Sequence, residues 1–453
     1  MTKPLHPISL ALSLSLLFHS ASPIFAAQPP LPDARFGAVE AYMAPERAAE
    51  LRVGWDRMII RWDQRQPDGP DQWLVPEAEL ERVNTALAAG REIVVLLMGT
   101  PAWATDGHPG GGVPRGLYLP PDDPGNLWAG FVRRSVGEYA GRIRRWIIWN
   151  EPDIAPEDFG AQFEGSVQDY YQLVKTASLS ARQANPQALI HLAGLTHWHD
   201  VVHNRPLYLE RFLAVARQDP TARAQRYYFD VVTLHIYFRA ETVYELITAY
   251  RALLRRYGLR HPLWLNETNA PPMDDPQYPW PYPLFPVTMD QQARFVIQAA
   301  ALALAAGAER VAVYKLFDEI APAPGADSYG LFRPDGSARP AAEAYRMITT
   351  YFAGVRRAAA FIQPAYYVIR LDRGSSVTRV LWARRGQAVT VSLRASPGAQ
   401  AAMLYNHLGQ AFPLERVSAN YYTLTLPAAE CPQGAGCVVG GAPWLVVETF
   451  QRH

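Results

Sequence analysis

Two glutamates stand where this chain offers side chains for chemistry. The stretch Trp146-Ile-Ile-Trp-Asn-Glu-Pro-Asp153 drives a β-branched and aromatic run into an Asn-Glu-Pro corner. A carboxyl group at a strand end, beside an amide and ahead of a proline that stops the strand, is placed for reaction rather than for solubility. Pro262-Leu-Trp-Leu-Asn-Glu-Thr-Asn269 repeats the arrangement. Glu151 and Glu267 therefore form a candidate pair. Carboxylates at the mouths of two buried strands suit cleavage of a glycosidic bond, in which one protonates the leaving oxygen and the other attacks or activates water. Taken singly, each glutamate also fits an exposed loop carboxylate or a helix-start charge.

The elements that would bring both to one place are legible in the pattern. From Phe36 to about Phe352, short apolar runs alternate with segments of helical period, which is the signature of βα units around a parallel sheet. The eight expected strands are Phe36–Glu40, Arg57–Arg61, Ile93–Met98, Ile143–Trp149, Ala188–Ala193, Val231–Tyr237, Leu263–Asn266 and Val311–Phe317. Eight regular units without a Gly-rich first turn favour a closed (β/α)8 barrel over a doubly wound sheet, and a barrel sets the ends of strands four and seven across one mouth. After the helix expected at Pro340–Tyr351, the texture changes to short alternating strands at Tyr366–Leu371, Arg379–Ala383, Ala388–Arg394, Ala402–Tyr405, Tyr421–Leu426 and Trp444–Glu448, an antiparallel β-sandwich. The reading is thus a leader at residues 1–27, a barrel at 28–352 and a sandwich at 353–453, with the change of texture near 353–360.

The chain has 453 residues and 49% hydrophobic side chains, enough for two cores. Its 43 basic and 42 acidic residues leave a formal charge of +1, which gives no field to gather nucleic acid or anionic membrane. Lys3 and the apolar run Ile8–Phe18, followed by small residues to Ala27, fit a secretory signal peptide too short to span a bilayer, with a retained amphipathic leader as the alternative. Export from the cytoplasm, with no membrane insertion after removal of the leader, is expected. Cys431 and Cys437 either close a small disulfide loop or remain free thiols. His191, His197, His199, His203 and His235 form no His-x-His pair on the first strand and no His-Glu-x-x-His helix, so a metal-dependent barrel hydrolase finds little support.

The two glutamate corners, together with Thr100-Pro-Ala-Trp-Ala104, resemble the acid/base and nucleophile segments of the retaining glycoside hydrolases of clan A, and within it most resemble family 39 and its endoglycosidase relatives. The resemblance spans about residues 36–352. It implies that Glu151 is the general acid and then the base, held protonated near neutral pH, that Glu267 is an ionised nucleophile, and that neither cofactor nor metal is needed. Side chains alternate along Leu234-His-Ile-Tyr-Phe238, so His235 and Tyr237 share a face. The resemblance assigns Tyr237 to steady Glu267 and His235 to line the sugar site, the alternative being a core pair with satisfied polar tips. By the same likeness Asn150 bonds the sugar 2-hydroxyl, and Arg61 is the mouth arginine that supports the nucleophile, while Trp62 packs. Sugars stack on aromatic rings, and Trp103, Tyr314 and Phe317 occupy suitable positions. The family pattern carries a tryptophan where Tyr314-Lys-Leu-Phe317 has none. Lys315, Asp318 and Glu319 could reach substrate hydroxyls, although surface charge is the simpler reading of any one of them. Tyr278, Trp280 and Tyr282, in the Pro-rich loop Ala270–Pro286, read either as an outer sugar subsite or as packing over the rim, and Tyr329–Pro340 as structural.

These features lead to a secreted retaining hydrolase of β-linked oligosaccharide or polysaccharide, with its two carboxyl groups about 5 Å apart. The Gly-rich segment His108–Gly116, read as flexible, favours an open cleft and endo action. An exo-acting, β-xylosidase-like enzyme and a catalytically silent carbohydrate-binding barrel are the alternatives. The sequence specifies no oligomeric state.

Overall fold

The computed structural model describes residues 31–237, 239–279, 287–318, 328–416, 420–431 and 437–450. The expected leader, Glu319, and Trp280 and Tyr282 of the Pro-rich loop lie outside the described residues. Eight parallel strands close into a barrel in sequence order: β1 Phe36–Ala38, β2 Trp55–Arg61, β3 Glu92–Met98, β4 Arg145–Ile148, β5 Leu189–Leu195, β6 Val231–His235, β7 Leu263–Glu267 and β8 Arg310–Val313. Runs such as Ile93-Val-Val-Leu-Leu97 are buried on both faces, between the barrel interior and the surrounding helices, which is why they read as continuous apolar stretches. Two of the longest helices start at capping boxes. Ser166 and Asp169 form a capping box for Val167–Ala184, and Thr288 with Gln291 does the same for Met289–Ala306.

β1, β4, β6 and β8 end sooner than the hydrophobic pattern suggests, whereas β5 and β7 run two residues and one residue past it. β4, β6 and β8 stop at Ile148, His235 and Val313; just beyond the last two, Tyr237 and Tyr314 line the mouth, whereas Trp149 after β4 turns into the core. Tyr314 joins Lys315 through a cis peptide bond directly after β8. At the opposite end the interior is charged: Trp264 lies between the guanidinium groups of Arg145 and Arg310, 4.8 and 4.2 Å from its ring, and both arginines pair with Glu92.

The C-terminal part is an antiparallel sandwich. Six strands in the order β14-β13-β16-β11-β10-β9 face a two-stranded sheet of β12 and β15, the ranges being β9 Arg357–Ile362, β10 Tyr366–Asp372, β11 Ser376–Ala383, β12 Val389–Arg394, β13 Ala399–Tyr405, β14 Ala411–Pro413, β15 Tyr421–Leu426 and β16 Trp444–Phe450. Leu381, Val391, Leu393, Leu424, Leu426 and Val446 fill the space between the sheets. The pattern reading lacks β9 and β14. Arg357-Ala-Ala-Ala-Phe-Ile362 has no alternation and little β propensity, and it forms only because it can pair along β10. Other residues of the six-stranded sheet, among them Tyr367, Ile369, Leu371 and Trp382, belong to the same continuous core as the barrel helices. Gln298 of Met289–Ala306 reinforces this junction by bonding Gly440 N at 3.0 Å and Gly441 O at 2.9 Å. Cys431 and Cys437 are joined in a disulfide. No described helix is long and apolar enough to cross a membrane.

Candidate active site

The ends of β2, β4, β6, β7 and β8 surround a cavity of about 440 Å³ that contains both glutamates. Glu267 is the last residue of β7. Opposite Leu234 and His235, β7 carries one extra residue, pairing Leu234 with Leu265 but His235 with Glu267. This bulge breaks the alternation, so Asn266 and Glu267 both serve the mouth: Asn266 Nδ2 lies 3.2 Å from His235 Nε2, and Glu267 meets the side chains below.

Glu267 is buried, and its neighbours account for its charge. The Tyr237 hydroxyl donates to Oε2, the Arg57 guanidinium pairs with Oε1, and His235 Nδ1 lies 3.4 Å from Oε2. Burial pushes the Glu267 carboxyl up; Arg57, His235 and Tyr237 outweigh it and hold the group below the ordinary carboxylate value. Tyr237 is pushed well up by burial and by Glu267, so its hydroxyl stays protonated and can donate.

Glu151 sits differently. β4 ends at Ile148, and Trp149 and Glu151 then take positive φ values of 69° and 45°. Left-handed backbone at non-glycine residues costs about 1 kcal/mol or more and persists only where surroundings enforce it. Trp149 supplies the enforcement. Its ring is fully buried against Trp128 and Phe163, its amide donates to Leu97 O at 2.9 Å, and its indole donates to Gln162 O at 2.8 Å. The corner thereby aims Glu151 into the mouth, where Oε1 lies 2.7 Å from His235 Nδ1 and Oε2 accepts from Gln162 at 3.4 Å. Asn150 donates to Gln162 Oε1 at 3.3 Å, and its own buried Oδ1 has no protein partner among the described residues. One oxygen of Glu151, one of Glu267 and a ring nitrogen of His235 all lie within 4.8 Å of one another.

Space for His235 is made by Gly194 on β5, where any Cβ would land on the imidazole. With the proton on Nδ1, His235 donates to Glu151 while Nε2 accepts from Asn266. With the proton on Nε2, Nδ1 accepts from a protonated Glu151 and the amide of Asn266 turns its otherwise unpartnered Oδ1 inward. The trio can therefore satisfy either protonation state of Glu151.

The cavity also brings in residues that sequence reasoning left out. Gln162 follows Glu151 by eleven positions in an irregular loop and carries no motif. Tyr329 lies in the segment read as purely structural, yet it lines the cavity and packs edge-on against Tyr237 and Tyr314 at centroid distances of 5.4 and 5.5 Å. Glu40 lines the wall and pairs with Lys315 at 3.1 Å.

Of the expected site residues, Glu151, Glu267, Asn150, Tyr237, Arg61 and Tyr314 line the cavity, and His235 lies beneath it, bridging the carboxylates. Three expectations require correction. The guanidinium on Glu267 belongs to Arg57, whereas Arg61 is held by Asp63 at 2.6 and 3.0 Å. Both arginines and Ile59 share one face of β2, so period two cannot separate them, and depth in the barrel decides. Trp103 is not at the cavity: its indole donates to Gln66 O at 2.6 Å and its ring meets Trp62 edge-on. Lys315 and Asp318 are not surface charges, since Lys315 is in the cavity wall and Asp318 is buried against Arg339, Ser328 and the Gly330 amide. Phe317 packs on the core, while Trp62 is fully buried, as expected.

The segment His108–Gly116 is pinned rather than loose. Gly110 N donates to Thr100 O at 2.7 Å, Glu164 N to Gly111 O at 3.0 Å and Arg115 N to Ala104 O at 2.7 Å. Gly110 and Gly116 take φ of 91° and 69°, so the segment's glycines answer to backbone geometry instead of mobility.

No family model matches the sequence, and no curated protein matches it. Solved structures match its shape. A family 39 glycoside hydrolase from the gut symbiont Bacteroides cellulosilyticus WH2 superposes with a TM-score of 0.67 at 14% identity, over 92% of this chain and 81% of that one. What the two chains share is the fold, a (β/α)8 barrel. A GH30 endoxylanase from Clostridium papyrosolvens C71 gives a TM-score of 0.60 at 13% identity over 92% and 97% of the two chains. A monomeric β-xylosidase from Caulobacter crescentus CB15 gives 0.58 at 13% identity over 93% and 97%. At such identities the likeness is one of architecture, and the assignment of chemistry rests on the side chains of the cavity.

Proposed function

We propose that this chain is a retaining glycoside hydrolase that cleaves β-linked glycosidic bonds by double displacement, with Glu267 as nucleophile and Glu151 as acid and then base. The observation that carries the reading is the meeting of the two carboxylates, with oxygens within 4.8 Å, under unequal surroundings. Retaining enzymes hold their carboxyl groups about 5–5.5 Å apart, whereas inverting enzymes need roughly 6.5–9.5 Å to admit water between them. Glu267, ionised and gripped by Arg57 and Tyr237, would attack the anomeric carbon. Glu151 would donate a proton to the leaving oxygen and later take one from water, with His235 and Asn266 adjusting their hydrogen bonds to each state. Asn150 lines the cavity beside Glu151, within reach of a sugar hydroxyl, and Tyr237, Tyr314 and Tyr329 offer an aromatic wall in place of the expected tryptophan. Arg57 is a fixed cation at Glu267, which makes a divalent metal between the carboxylates unfavourable.

The substrate class is β-linked oligosaccharide or polysaccharide. Endo action loses the support of a flexible rim, and an exo-acting, β-xylosidase-like mode is the second reading; product length from a polysaccharide digest separates the two. The disulfide supports an extracytoplasmic location, consistent with the leader at residues 1–27.

The test uses aryl β-glycosides. The intact protein should turn one over, and Glu267→Ala should lose at least about a thousandfold in kcat. Added azide should restore release of the aryl group by forming the α-glycosyl azide. Binding of glycan without cleavage of any tested linkage would favour a silent carbohydrate-binding barrel.

A further inference from the structure

Outside the cavity, a second convergent set of side chains has no part in the chemistry above. Asp158, in the loop after β4, places Oδ2 at 2.9 Å from His199 Nδ1 and 2.7 Å from His203 Nε2. The two histidines are four residues apart, His199 within the short helix Trp198–Val202 and His203 at its C-terminal cap, so their rings point the same way. One ligand atom from each of the three residues lies within 4.8 Å of the others, and all three side chains are partly open to solvent.

We propose that Asp158, His199 and His203 form a binding site for a divalent transition cation of the zinc class. Two imidazole nitrogens and one carboxylate oxygen are the donor set such ions prefer over magnesium or calcium, which favour all-oxygen shells. Bonds of about 2.0–2.1 Å to a tetrahedral ion separate two ligand atoms by roughly 3.3 Å. The present 2.7 and 2.9 Å contacts would open by about half an ångström to admit the ion, a change within reach of partly exposed side chains. The fourth position faces solvent and would take water.

The site would act as a staple. The loop after β4 carries Glu151 at its start and Gln162 near its end, and Asp158 lies between them. Its middle is thinly packed, with Glu157 and Gly160 exposed and Phe159 102% exposed. Asp153 already fastens the early part of the loop, accepting from Thr196 N at 2.8 Å and His197 N at 3.0 Å. A metal at Asp158 would add a second fastening to the segment after β5.

The experiment is titration of the metal-stripped full chain with zinc chloride, followed by calorimetry, by thermal unfolding and, with cobalt chloride, by visible absorption. One zinc ion per chain should bind and raise Tm, and cobalt should give the intense d–d bands of a low-symmetry four-coordinate site. His199→Ala, His203→Ala and Asp158→Asn should each weaken binding by at least about tenfold, since loss of a ligand costs no less than the loss of an outer-sphere partner. Glu267→Gln should leave the binding unchanged, which separates this site from the catalytic cluster. Absence of stoichiometric zinc binding by the intact chain would overturn the proposal, as would binding that survives in all three ligand variants or disappears with Glu267→Gln.

Discussion

The two corners that supply the carboxylates look alike in sequence and are built on opposite principles. Glu267 ends a strand, just past a bulge, and its side chain, 7% exposed, is gripped by a cation, a phenol and an imidazole. Glu151 follows a left-handed kink, is 16% exposed, and is held by His235 and by one long bond from Gln162. A nucleophile must remain ionised and in place, so fixed donors serve it. An acid that becomes a base must exchange its proton twice per cycle, so it benefits from a partner that accepts either state and from access to water. Asn-Glu at a strand end is thus only an address; the role proposed for each glutamate rests on its surroundings.

Substitutions that interchange these surroundings test the contrast. The largest effect is expected at Glu151→Gln, where loss of the general acid should cost about 10²–10⁴ in kcat for substrates with poor leaving groups. With an activated aryl leaving group the deficit should move to hydrolysis of the glycosyl-enzyme, and azide should restore turnover as the β-glycosyl azide, the opposite anomer from that of Glu267→Ala. The same anomer from both variants would break the distinction between the corners.

Arg57→Ala should come next, because it leaves the Glu267 carboxylate buried without its cation. Removing one member of a buried pair costs about 3 kcal/mol or more, measurable by denaturant unfolding at neutral pH. The sign of the pH dependence follows from the lowered Glu267 value. Stabilisation from a depressed carboxyl is complete above its unfolded pKa and is lost as pH falls through its folded one, so the advantage of the intact chain over Arg57→Ala should shrink in acid. Arg61→Ala, lacking the contact to Glu267, should show no such pH-dependent gap.

Tyr237→Phe removes a donor without removing the ring. The Glu267 carboxyl should rise, the acidic limb of kcat/KM should move to higher pH, and kcat should fall about tenfold, the equivalent of one charge-assisted hydrogen bond. A fall in activity with an unmoved acidic limb would assign Tyr237 to substrate alone. Gln162→Ala should be mildest: its bonds to Glu151 and Asn150 are long, and a roughly fivefold loss concentrated on the Glu151 step is expected.

The barrel, its eight strands and the residues at strand ends were legible because hydrophobic period and strand-stopping corners are local properties. Depth was not. Arg57 and Arg61 lie on one face of β2 with equal claims by alternation, and only the closed barrel shows which of them reaches Glu267. Gln162 and Tyr329 come from irregular loops, where no period marks direction. Trp103 looked like a platform because its tripeptide suggested one, yet its indole is committed to the Gln66 carbonyl. The bulge that turns Asn266 and Glu267 to one side depends on the register between β6 and β7, which neither strand encodes alone. Asp158, His199 and His203 likewise assemble only when two loops are folded side by side.

The central claim is that Glu151 and Glu267 act on opposite sides of one anomeric carbon through a covalent intermediate. Proton NMR of the first sugar released from a β-glycoside, recorded before mutarotation, tests it most directly. The arrangement predicts the β anomer as the initial product; initial release of the α anomer would contradict it.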